Sequence, residues 1–140
     1  MTAFALMFSL AGIGIAETAY LIRKRVDADR PVCPIGGGCH IVLTSNYNRL
    51  FGFHNDVLGF IFYIGMSFLT AFLVIGTGSA VLWNGLIAWV LFIASAMSLF
   101  FFYLQWRVIH AWCFWCLMSA FTIFCMDFIF FLSFISTSFL

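Results

Sequence analysis

Five cysteines occur in the chain, and four of them form two close pairs, Cys33 and Cys39 in "CPIGGGC" and Cys113 and Cys116 in "CFWC". Two cysteines separated by two residues can close a small disulfide ring. Where such a motif opens a helix, the first sulfur lies near unpaired backbone N–H groups and the positive end of the helix dipole, and both favour the reactive thiolate. This makes Cys113 the sulfur expected to be exposed for exchange and Cys116 the deeper one, a turn further in. In the other pair, Gly36, Gly37 and Gly38 let the backbone fold back, so Cys33 and Cys39 can approach disulfide distance on a mobile segment. Thiol–disulfide exchange proceeds through mixed disulfides, so two communicating pairs have to meet. The expected order runs from an external dithiol to the Cys33–Cys39 pair, then from Cys39 to Cys113, then to Cys116.

The elements that hold these sulfurs are strongly apolar. Of 140 residues, 65% are hydrophobic and 8% charged, with 20 phenylalanines. Soluble domains carry about 25% charged residues, so the composition indicates an all-α integral membrane protein. A net charge of +1, with its Lys and Arg scattered, provides no basic face and excludes nucleic acid as a partner. Four apolar runs, at about residues 2–22, 57–75, 80–104 and 112–134, have the length that crosses a bilayer, about 20 helical residues each. The first run lacks a basic leader and a small-residue cleavage site, so it is expected to be retained as a span. The expectation is one membrane domain over 1–140: a four-transmembrane-helix bundle with a half-helix and loop cap, residues 23–56, between helices one and two. With four spans, that loop and the "QWRVIHA" connection emerge on one side, and both cysteine pairs face each other there. Within the loop, "CHIVLTSNYNRLFGF" suits a short interfacial helix closed by Gly52, with Tyr47 at headgroup depth.

A dithiol embedded at the membrane surface needs an oxidant that regenerates its disulfide, and a lipid-soluble quinone is the natural candidate. Other readings of the four cysteines are a structural Cys₄ zinc site, two static disulfides, or unpaired packing residues. The zinc reading fits "CFWC", but the loop pair has five intervening residues where zinc sites have two to four. Cys125 stands alone in the last span and reads as packing. Glu17 and Asp127 lie within spans, and intramembrane acids are functional by default. Asp127 falls several turns beyond Cys116, and neither acid is assigned to the chemistry.

The succession Cys33, Cys39, Ser45, Phe51-Gly52, Asn55, Gly59, Tyr63, Cys113 and Cys116 resembles the vitamin K epoxide reductase family from about Val32 to Ser119. The resemblance implies a four-helix bundle around a quinone pocket capped by the loop. By position, Cys116 resembles the cysteine that meets the quinone, Cys113 its exchange partner, Cys39 the inner loop cysteine and Cys33 the outer one that meets the protein substrate. Asn55 resembles the asparagine that hydrogen-bonds a quinone carbonyl, the alternative being a helix cap. Ser45 resembles a serine beside the active cysteines, the alternative being a local backbone hydrogen bond. The implied activity is a quinone-dependent thiol:disulfide oxidoreductase supporting disulfide formation, or else a quinone or quinone-epoxide reductase serving quinone recycling. The implied partner is a separate thioredoxin-like or DsbA-like protein, and ubiquinone, menaquinone and phylloquinone all stay open as the quinone. One departure concerns substrate: animal enzymes carry a tyrosine where this chain has Ala120, which argues against vitamin K epoxide and coumarin-type inhibitors.

Orientation divides the arguments. All 6 Lys and Arg residues fall on the cysteine side, and the positive-inside rule places that side in the cytoplasm. The family resemblance and the chemistry of disulfides favour an extracytoplasmic active site, which is the expectation adopted.

Overall fold

The computed structural model describes residues 2–139. Four long helices are each apolar and long enough to cross a membrane. They are α1 (Thr2–Val26), α3 (Asn55–Ile75), α4 (Ala80–Tyr103), which continues as a π-helical turn (Leu104–Ile109), and α5 (Phe114–Ser138). The short α2 (Gly38–Thr44) lies in the loop between α1 and α3. The bundle core is small and joins α1, α3, α4 and α5 through Met7, Ala11, Tyr63, Met66, Leu91 and Met126. Large apolar side chains such as Phe68, Trp89, Phe92 and Phe128 point outward instead. Lipid is as apolar as a protein core, so such a surface is stable only in a bilayer. The protein is a multi-pass membrane protein.

Two helices run past their apolar stretch. The first continues to Val26 because Arg23, Lys24 and Arg25 fill its last turn, where cations meet the negative end of the helix dipole. The third continues to Ile109 through the π-helical turn and stops at His110, whose φ is 54°. That turn carries Gln105 into the interior.

The loop departs from the single helix read from the sequence. After α2 come a 3₁₀ turn (Asn46–Asn48) and a two-residue hairpin, β1 (Arg49–Leu50) paired antiparallel with β2 (Phe53–His54). Gly52 turns this hairpin and does not close a helix. Phe51 and Gly52 both have positive φ, 52° and 85°, as a two-residue hairpin of the mirror-image type requires. The apolar residues Leu50, Phe51 and Phe53 suggested an interfacial helix; they lie instead on the hairpin, from which Phe51 and Phe53 project outward.

Candidate active site

Cys113 is the N-cap of α5, and its sulfur accepts a hydrogen bond from the Cys116 backbone N–H at 3.3 Å. Its own N–H donates to Gln105 Oε1 at 2.8 Å. The buried amide of Gln105 thus fixes the residue that opens the helix. The Cys116 side chain, hydrogen-bonded to Cys113, holds the Cys113 thiol below its ordinary range, and the backbone N–H groups of Cys116 and Trp115 add to this against the opposing effect of burial. The expectation of an exposed Cys113 does not hold, because the residue is 0% exposed. What covers it is the cysteine loop.

Cys33 and Cys39 form a disulfide with Cα atoms 5.9 Å apart. Gly36 and Gly37 have φ of 62° and 72° and make the turn that brings the pair together. Gly38 has another role: a Cβ there would collide with the Trp112 carbonyl, so α2 starts in direct contact with the α4–α5 connection. Cys39 follows on α2 and shares one buried cluster with Val42 and Cys113, with Cys33, Trp115 and Cys116 packed against it. The loop is tied at its other end too. Trp115 Nε1 donates to the Val32 carbonyl at 2.7 Å, the Val32 N–H donates to the Tyr20 hydroxyl at 3.1 Å, and the two rings lie 4.8 Å apart. The disulfide therefore lies docked over Cys113, with free backbone only between Val32 and Gly38.

Beneath Cys116 lies a cavity of about 500 Å³ between the long helices. Leu21, Phe62, Met97 and Phe101 contribute to its largely apolar wall. Asn48, Asn55, Asp56, Gln105, Cys116 and Ser119 bring the polar atoms. Pockets of this kind suit a mostly apolar ligand oriented by a few hydrogen bonds. Asn55 is the first residue of α3, whose N-cap is His54. The Asn55 amide therefore does not cap the helix, and it lines the cavity. Ser45 borders a narrow crevice shared with Asn55 and Cys116, and its hydroxyl donates to the Val42 carbonyl at 2.8 Å. Ala120 also faces the cavity, so the position of the family tyrosine is part of the wall here.

Gln105, Trp115 and Asp56 escaped the sequence reading. Gln105 was legible as a lone amide at the end of an apolar run. Asp56 pairs with Arg25 across the ends of α3 and α1, with Nε to Oδ2 at 2.9 Å. Of the other acids, Asp127 accepts a hydrogen bond from Ser95 of α4, and Glu17 is buried outside the cavity wall. Cys125 is a partly buried free thiol. The Cys33–Cys39 disulfide takes two sulfurs from the set that a four-thiolate zinc centre needs.

The model of the vitamin K epoxide reductase family matches residues 5–132. The chain belongs to this family. It is also 37% identical over 123 residues to the thiol-disulfide oxidoreductase LTO1 of Arabidopsis thaliana, a match covering 81% of this chain and 32% of the relative. The chain thus spans about a third of that relative's length. Family membership accords with the arrangement of cysteines, loop and cavity.

Proposed function

We propose that this vitamin K epoxide reductase family member is a membrane thiol oxidoreductase. It takes electrons from a thioredoxin-like protein through Cys33, Cys39, Cys113 and Cys116 to a quinone, and so supports disulfide formation. The observation that carries the reading is the packing of Cys39 with Cys113 in one buried cluster, while Cys116 opens onto the cavity.

The steps balance as follows. A thiolate of the partner attacks Cys33, releasing Cys39 as thiolate. The partner's second thiol then attacks its own first sulfur, closing the partner's disulfide and releasing Cys33 as thiolate, so that both loop cysteines are reduced. Cys39 attacks Cys113 of the Cys113–Cys116 disulfide and displaces Cys116. Cys33 attacks Cys39 in turn and releases Cys113. The loop disulfide is re-formed, and Cys113 and Cys116 are thiols. The N–H of Cys116 stabilises negative charge on Cys113 as it leaves. A quinone held in the cavity supplies a two-electron, two-proton acceptor for the oxidation of Cys113 and Cys116. The cavity fits that group: its walls are apolar, and the Asn55 amide can donate a hydrogen bond to a carbonyl oxygen on which negative charge grows.

The cysteine face is assigned to the extracytoplasmic side, where disulfides persist. The test reconstitutes the protein in liposomes with short-chain ubiquinone or menaquinone and a reduced thioredoxin-like protein. Quinone absorbance should fall only when all three are present. Absence of any thiol-dependent loss, with either quinone, would overturn the reading. Impermeant maleimide applied to intact cells after mild reduction should label Cys33, and labelling only after lysis would reverse the orientation.

A further inference from the structure

We propose that His54 and Asp56 form a proton path from the membrane surface to the cavity beside Cys116. Two buried polar atoms without a hydrogen-bond partner carry the proposal, His54 Nδ1 and Asp56 Oδ1. They stand two residues apart at the start of α3. Orphaned buried polar atoms are rare and each calls for a partner. A water molecule between these two would satisfy both, accepting from Nδ1–H and donating to the carboxylate.

The ends of this pair face different surroundings. His54 is half-buried at the end of the hairpin, directly opposite the exposed Arg49. Asp56 has a side chain only 1% exposed and lines the cavity together with Asn55 and Cys116. Arg25 of α1 engages Oδ2 and leaves Oδ1 free. The charged and titratable groups around the pair are therefore Arg25 from α1, Arg49 from β1 and Cys116 from α5. Burial, Arg25 and Arg49 hold the His54 imidazole below its ordinary value. A neutral imidazole near neutral pH can both take up a proton and pass one on.

The need for such a path follows from proton balance, and it rests on the quinone reading above. Reducing a quinone consumes two electrons and two protons. Oxidising a dithiol supplies both in full only when both sulfurs carry a proton. At the start of α5, Cys113 accepts an N–H hydrogen bond that favours its thiolate, the form in which a cysteine attacks. Closing the disulfide from Cys113 thiolate and Cys116 thiol releases two electrons and one proton. The second proton has to enter from water. The walls of the cavity are otherwise largely apolar, and Asp56 is the wall carboxylate with an unpartnered oxygen among the described residues.

The test uses the full chain in liposomes, with two readouts. In the quinone-free, pre-reduced protein, Cys116 alkylation by iodoacetamide is followed by peptide mapping. Asp56→Asn removes a negative charge facing the thiol, and alkylation near neutral pH should rise about tenfold. Arg25→Gln leaves that charge uncompensated, and alkylation should fall. Unchanged alkylation in Asp56→Asn would overturn the proposal. In the second readout, short-chain quinone drives closure of Cys113–Cys116. Asp56→Asn should slow closure about tenfold or more, formate should restore it, and Asp56→Glu should retain it. His54→Gln should slow it less, and imidazole should restore it. Diamide, a water-soluble oxidant, should close the disulfide in Asp56→Asn at least as fast as in wild type. Loss with diamide as well would assign the carboxylate a purely structural role and defeat the proposal. A wild type that reduces no quinone defeats the proposed function itself. A working wild type with an unimpaired Asp56→Asn defeats only the proton path.

Discussion

The two cysteine pairs are built on opposite principles. Cys113 and Cys116 are held by a helix: the first is its cap, the second lies one turn in, and Gln105 locks the backbone between them and α4. Cys33 and Cys39 are held by a turn of two left-handed glycines that is fastened only at its ends, at Val32 and Gly38. One pair is fixed at a helix start over a cavity and the other is short-tethered, although each has one cysteine fully buried and one half-buried. A relay needs this asymmetry. The fixed pair tunes one sulfur by helix electrostatics, whereas in the proposed relay the tethered pair has to meet a foreign protein and then Cys113. The structure also shows how short the tether is, since the loop is docked before any swing.

The sharpest way to break this comparison is to remove the inner sulfur. Cys116→Ala should abolish thiol-dependent quinone reduction. Cys113 retains the N–H donor of residue 116, so it still attacks Cys39, and a Cys39–Cys113 mixed disulfide should accumulate with Cys33 free. Non-reducing peptide mapping checks this, and finding only Cys33–Cys39 would show that the two pairs do not communicate. Next in size is Asn55→Ala, which takes the amide from the cavity. Loss of one such donor to a developing oxyanion typically costs about 100-fold or more in rate. The loss should appear in quinone reduction and leave exchange between partner and loop intact. An equal loss in both would mean that Asn55 supports the loop and not the acceptor site.

How legible was this in the sequence? The four spans were plain, because an apolar run of bilayer length with at most one charged residue is rarely stable anywhere but in lipid. The cysteine pairs were plain as well, since spacing alone constrains which sulfurs can join. The loop was harder. Leu50, Phe51 and Phe53 carry a pattern that fits a helix, and only the positive φ at Phe51 and Gly52 reveals the hairpin. The burial of Cys113 was also hidden, because it depends on α2 folding back across a connection more than sixty residues later in the chain. Gln105 and Trp115 belong to the same class: their partners, the Cys113 N–H and the Val32 carbonyl, are backbone atoms that no side-chain pattern announces. The Asp56–Arg25 pair joins the ends of two spans, and sequence showed it only as scattered charge.

Gly38 sharpens the comparison from the loop side. The sequence presents three equivalent glycines, whereas the structure separates two that turn from one that packs. Gly38→Ala would press a methyl group into the Trp112 backbone, and overpacking of this kind costs about 1–3 kcal/mol. The cost falls on the docked loop and not on the bundle. Cys39–Cys113 exchange should slow about tenfold, while thermal unfolding of the bundle changes little. Gly36→Ala meets no neighbour but loses its left-handed turn, so it should weaken closure of Cys33–Cys39 instead. If the two variants behaved alike, docking and turning would be one property of the loop, and the distinction would fail.

The smallest effect belongs to pH and the fixed pair. The Cys113 thiol is held below its ordinary value of 9.0, with the Cys116 side-chain hydrogen bond as the largest cause. The sign follows directly: a lowered value means thiolate at lower pH, so attack of Cys113 on a disulfide gains with rising pH and levels off early. A free cysteine levels off only above its own value of about 8.5. Exchange between Cys113 and the Cys33–Cys39 disulfide, measured in the Cys116→Ser variant, where resolution is blocked and a hydroxyl can still donate to the Cys113 sulfur, should therefore plateau at lower pH than attack of a free cysteine on the same disulfide. Trp115→Phe probes the tether in the same assay. It removes the hydrogen bond to the Val32 carbonyl and keeps an aromatic ring against Tyr20. One such bond contributes about 1 kcal/mol, so the rate should fall severalfold with its pH profile unmoved. A shift of the plateau in this variant would mean that loop docking, and not the helix start, sets the reactivity of Cys113.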